Sequence, residues 1–120
     1  MAELGLLFYG YDKESADVIT MTYSADFGEE IEIYGAVESD NLQVQDILEY
    51  PEKSRFGNGE NKFLMFLGFD NEQISRCLKT FPATEKRPIF CGLTEHNISW
   101  EVNHLMEHLI EEKREATGQK

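Results

Sequence analysis

The chain carries one phrase twice, "LLFYGYD" at residues 6–12 and "LMFLGFD" at residues 64–70. With an offset of 58, Leu6, Phe8, Gly10, Tyr11 and Asp12 meet Leu64, Phe66, Gly68, Phe69 and Asp70. The register continues through Glu14 onto Glu72 and Tyr23 onto Phe81. A two-residue shift then brings Ile33, Tyr34, Val37 and Asn41 onto Ile89, Phe90, Leu93 and Asn97, and the offset of 58 returns for residues 44–49 against 102–107. Such self-similarity makes the fold a pairing of like units, each too small to bury a comfortable core alone.

Each unit reads as strand, helix, strand, helix. Leu4 to Tyr9 and Phe63 to Leu67 are near-continuous apolar runs, the pattern of strands buried on both faces. Asp12 and Asp70 are N-caps, and Gln73 completes a capping box for the helix that runs toward Phe81. The second strands, "IEIYGAV" and "RPIFCGL", lie outside the first, since Pro88 suits an edge strand or a strand start. Ile98, Val102, Leu105, Met106 and Leu109 recur at helical spacing on the last helix. The expectation is an α/β fold in which two βαβα repeats form a single four-stranded sheet in the order 2-1-1'-2', covered by helices. The sheet is mixed if a twofold relates the halves and all parallel otherwise. The boundaries read as repeat 1 over 4–50, a turn-rich linker over 51–61, repeat 2 over 62–112 and a frayed polar tail over 113–120 within one domain.

Charge narrows the partners. The net charge is −12, of which residues 1–59 supply −10 and residues 60–120 supply −2. A chain so acidic lacks the lysine and arginine that displace counterions from a phosphate backbone, so nucleic acid is not an expected partner. No apolar run is long enough to span a membrane, and the start lacks the basic stretch and cleavage site of a signal peptide, so a cytoplasmic location is expected. Cys77 and Cys91 have neither disulfide-framework nor metal-site spacing and read as buried thiols.

The second repeat, "FLMFLGFDNEQISRCLKTF" through "CGLTEHNISWEVNHLMEHLIEE", resembles a family of short prokaryotic domains known only as domain-of-unknown-function family 3783. The likeness lies in the strand ending Gly68-Phe69, the helix that opens with acidic and amide residues, and Leu93-Thr94, Asn97 and Trp100 leading into an acidic helix. The resemblance implies a module over about residues 63–112 and no particular activity, with residues 4–50 as a degenerate copy. In that copy Leu42 stands opposite Trp100, and "GEEIEI" replaces "EKRPIF". Asn97 and Trp100 are the candidate interaction residues. The simpler alternative has Asn97 or Ser99 capping the last helix, with Trp100 against its first turn.

Several constellations bear on chemistry. His104 to His108 matches H-x-x-E-H, which sets two imidazoles one helical turn apart, as a zinc hydrolase requires. Only twelve residues follow, however, and Glu107 falls away from the apolar stripe. Asp12 and Asp70, with Glu14 and Glu72, could share a hard cation in an all-parallel sheet but not in a mixed one. Gly10 and Gly68 lack a phosphate-loop context, and Cys91 with His96 lacks a third, orienting group. Acidic residues 28–32 and basic residues 85–88 occupy matching places in the two repeats, which favours weak, salt-sensitive self-association.

Together these features point to a non-catalytic module without a cofactor, a monomer or weak homodimer acting in protein interaction, regulation or ligand sensing. The alternative is a metal-dependent hydrolase that uses His104 and His108.

Overall fold

The two apolar runs are the centre of the fold. A computed structural model describes residues 4–37 and 41–118; residues 38–40 of the first repeat and 119–120 of the tail lie outside the described residues. Strands β1 (Leu4–Tyr9), β2 (Ile31–Gly35), β3 (Phe63–Leu67) and β4 (Ile89–Gly92) form one sheet in the order β2-β1-β3-β4. β1 and β2 are parallel, as are β3 and β4, while β1 and β3 are antiparallel. The sheet is therefore the mixed version of the expected order, with the second strands at the edges.

Helices α1 (Lys13–Phe27) and α3 (Asn71–Thr80) cover one face, and α2 (Val44–Glu49) and α4 (Val102–Gly118) the other. Alternation along β1 sends Leu6 and Phe8 to the first core and Leu7 to the second, so the central strands are apolar throughout because both their faces are buried. Each crossover opens in the same way. Gly10 and Gly68 take φ of 87° and 78°, in the left-handed region that suits glycine, and turn the chain from strand to helix. Asp12 then accepts from Ser15 N, and Asp70 accepts from Gln73 N within a full capping box.

The halves meet through equivalent residues. Leu7 opposes Met65, its own counterpart at an offset of 58, while Leu6 opposes Phe66 and Phe8 opposes Leu64. A second crossing point repeats the pattern: Val44 N donates to Trp100 O and Val102 N to Leu42 O, each at 2.9 Å, around a Gln43–Glu101 bridge. When residue i meets j′ and j meets i′, the contact has the geometry of a twofold interface.

Register corrects one alignment. β1 against β2 pairs Leu6 with Ile33 and Phe8 with Gly35, while β3 against β4 pairs Leu64 with Phe90 and Phe66 with Gly92. The counterpart of Ile33 is thus Phe90 rather than Ile89, and the shift between repeats is one residue rather than two. A one-residue slip would exchange faces; as built, Ile33 and Phe90 share one core, and Tyr34 and Cys91 the other.

The repeats diverge after their second helix. Pro51 ends α2 after six residues, whereas Leu109 stands 58 residues on and α4 runs 17 residues to Gly118, past residue 112 where the frayed tail is expected. The chain after Pro51 makes a short 3₁₀ turn and doubles back onto β2. Arg55 N donates to Gly35 O at 3.0 Å, Val37 N donates to Arg55 O at 3.1 Å, and Gly35 N donates to Ser54 Oγ. The 51–61 stretch, read from sequence as a connector, therefore covers the β2 edge.

Candidate functional site

A cavity of about 350 Å³ lies where α4 passes the other edge strand, β4. Cys91, Asn97, Trp100, Leu105, His108 and Glu112 are among the residues that line it. Both candidate interaction residues therefore face one place, and two residues from the set-aside constellations, Cys91 and His108, join them there.

Asn97 is 8% exposed and both ends of its carboxamide are hydrogen-bonded. Its Oδ1 accepts from Thr94 N at 2.9 Å and its Nδ2 donates to Gly92 O at 3.0 Å, while Thr94 Oγ1 accepts from Asn97 N at 3.0 Å. Asn97 thus fastens the turn after β4 and makes no cap for α4, which begins three residues beyond Ser99. Ile98, expected on the apolar stripe of that helix, belongs instead to the 3₁₀ turn Asn97–Ser99.

Trp100 is half-buried beside the first turns of α4. Its indole meets His104 edge-on at 4.7 Å and His108 at 5.0 Å, and His108 Nε2 lies 2.7 Å from Glu112 Oε1. The one-turn histidine spacing is thus present, with the indole against both imidazoles. Among the described residues no group of three or more His, Cys, Asp or Glu is arranged to hold a metal ion. Burial, with Glu112 adding repulsion, pushes the Cys91 thiol up to about 12, far from the thiolate that nucleophilic chemistry needs. His96 stands in the exposed turn before Asn97 and is not among the residues lining the cavity.

The other candidates separate. Asp12 and Asp70 stand at opposite ends of the antiparallel central pair, so the shared-cation arrangement is not formed, and each carboxylate caps its own helix. Residues 29–32 and 86–88 likewise lie at opposite ends and opposite edges of the sheet, since β2 and β4 run in opposing directions. Among the described residues no helix is long and apolar enough to cross a membrane.

Sequence reasoning placed Cys91 and His108 in other constellations and gave no sign of Glu112; it did not bring the three together with Asn97 and Trp100, because they reach the cavity from a strand and a distant helical turn. It also missed Gly92 as the partner of Gly35. The signal was there in "YGA" and "CGL", which align once the shift is one residue.

Residues 62–115 match the family model described as Domain of unknown function (DUF3783). That span holds β3, α3, β4 and the part of α4 that lines the cavity, so the candidate site lies wholly inside the family's domain. No curated protein and no solved structure matches the chain.

Proposed function

We propose that the chain is a non-catalytic α/β module that works by binding another protein on the β4–α4 side, around Trp100. The observation that carries this reading is how the cavity's polar groups are spent. Asn97 is bonded to Gly92 and Thr94, and His108 to Glu112, while the Cys91 thiol stays protonated. A catalytic site keeps a nucleophile, an activating base and a place for developing charge; here those groups are tied to one another, and the Glu112 carboxylate, 60% exposed, stays open to solvent beside the Trp100 ring.

On this reading the first half is a degenerate copy of the second, and its loss of tryptophan at Leu42 leaves one binding face per chain. The reciprocal β1–β3 register and the matching helix caps support the duplication. The module is cytoplasmic on this account, consistent with its two unpaired cysteines.

The test is a photo-crosslinking amino acid at position 112 in the otherwise native chain, with native mass spectrometry of the untagged protein alongside. The interaction reading expects one discrete protein adduct that Trp100→Ala removes, and an apo mass. A stoichiometric metal ion lost in His104→Ala would replace it with the metal-dependent hydrolase.

A further inference from the structure

Gly35 and Gly92 occupy the same place in the two halves, one opposite Phe8 and the other opposite Phe66. Their surroundings differ. A Cβ on Gly35 would collide with the Arg55 carbonyl and crowd the Phe56 ring, so glycine there is the condition for the returning 54–56 segment to lie on β2. A Cβ on Gly92 would meet nothing within 4 Å, and its φ lies outside the left-handed region. Among the described residues nothing asks for glycine at 92, although glycine weakens a strand.

We propose that the β4 edge at Phe90–Gly92 takes an extended segment of a partner protein in which a basic and an aromatic residue stand side by side. The pattern is the chain's own. On β2 the docked segment is Ser54-Arg55-Phe56, with Phe56 packed toward Phe8 at 6.5 Å between ring centres. The counterpart of Phe8 is Phe66, itself buried and stacked on Phe90 at 5.9 Å; the partly buried Phe90 ring, with Arg87 over it at 4.9 Å, is the aromatic surface beside the open position at Gly92.

Strand geometry fixes what the partner brings. Ile89 N and Leu93 N donate inward to Lys62 O and Phe66 O, so the amide and carbonyl of Phe90 and the amide of Gly92 face away from β3. Asn97 already holds Gly92 O and Thr94 N, which stops an added strand from running further. Successive residues of that strand point to opposite faces. An aromatic side chain on one face covers Gly92, and its neighbour on the other face enters the cavity. There the Glu112 carboxylate and the Trp100 indole receive a cation, arginine better than lysine because its planar group both pairs and stacks.

This site rests on the reading of the chain as an interaction module. The probe is a fluorescein-labelled peptide copied from residues 52–58, Glu-Lys-Ser-Arg-Phe-Gly-Asn, titrated into the full chain and followed by anisotropy and amide shifts. Saturable binding that shifts the Phe90 and Gly92 amides, and that weakens about tenfold or more in Gly92→Val or with phenylalanine replaced by alanine in the peptide, supports the proposal. Gly92→Val puts a β-branched residue in open space on a strand, so the protein keeps its fold, and an unchanged unfolding midpoint verifies it. Binding that Gly92→Val leaves unchanged, shifts confined to Gly35 and Arg55, no binding, or a dimer that Gly92→Val dissolves would each overturn it. A crosslinked partner at position 112 without peptide binding would leave the interaction reading standing and remove this site alone.

Discussion

Asn97 does with its side chain what Arg55 does with its backbone. The Arg55 amide and carbonyl bond Gly35 O at the end of β2 and Val37 N just beyond it, and the Asn97 carboxamide bonds Gly92 O at the end of β4 and Thr94 N just beyond it. One edge is closed by a returning chain and the other by a single residue. Asn97→Ala should therefore cost about 1–3 kcal/mol, the worth of two hydrogen bonds at a buried position. Asn97→Asp should be no better, because a carboxylate has no proton for Gly92 O. Arg55→Ala keeps both backbone bonds and should fall within about 0.5 kcal/mol of the parent. Urea denaturation of the three variants checks the contrast.

The two strand-end glycines should respond in opposite ways. Gly35→Ala drives a methyl into the Arg55 carbonyl and should lower the unfolding midpoint sharply, whereas Gly92→Ala meets open space and should raise stability by up to about 0.5–1 kcal/mol. Equal losses at both positions would contradict the difference in their surroundings.

Helix entry depends on the paired aspartates. Asp12→Ala and Asp70→Ala each remove the side-chain acceptor of a helix N-terminus, at Ser15 N and Gln73 N, and each should cost about 1 kcal/mol. The Asp70 amide also donates the return bond to Gln73 Oε1, so Gln73→Ala should show a smaller loss of the same sign. Thermal melts followed by circular dichroism resolve both.

Alkaline pH should weaken the fold through its thiols. Burial raises the Cys77 and Cys91 thiols from 9.0 to about 12, so the unfolded chain loses those protons first as pH rises. The stabilisation is whole below pH 9 and declines between about 9 and 12. Tyr11 and Tyr23, also raised by burial, add loss of the same sign at the upper end. The urea midpoint should fall from pH 8 to pH 10, and Cys91→Ala should flatten that slope even as it lowers the starting value.

Any self-association should be weak and electrostatic. The acidic start of β2 and the basic approach to β4 lie at opposite corners of the sheet, which suits head-to-tail contact between chains. Sedimentation velocity at high protein concentration should show association at roughly 20 mM salt that vanishes by roughly 500 mM. A monomer at both would remove the contact.

The strands and helix starts were legible because their causes are local: apolar runs bounded by Gly10 and Gly68, and Asp12 and Asp70 at capping positions. The strand order followed from which runs were apolar on both faces. The antiparallel centre was not legible, since parallel and antiparallel pairing bury the same residues. The slip at β4 was misread because "IFC" and "IYG" look alike by residue type, and only pairing decides the face of each. The site was half visible. Asn97 and Trp100 sit in one short stretch, but Cys91, His108 and Glu112 meet them only once α4 has crossed the strand, and Gly92 draws notice only when compared with the covered Gly35.

The antiparallel contact between β1 and β3 carries a consequence for the matched unit itself. Residues 62–115 contain β3 but not the strand that completes it. Cut free, the unit would be half a sheet, with the bare amides and carbonyls of Phe63 to Leu67 along its inner border and one side of the Met65 core uncovered. A chain holding a single unit must find that missing border in another molecule, and because Leu7 pairs with its own counterpart, a second identical unit would fit there. On the proposed reading of the first half as a copy, the chain is an assembly written into one polypeptide, its stoichiometry fixed by a peptide linkage and indifferent to dilution.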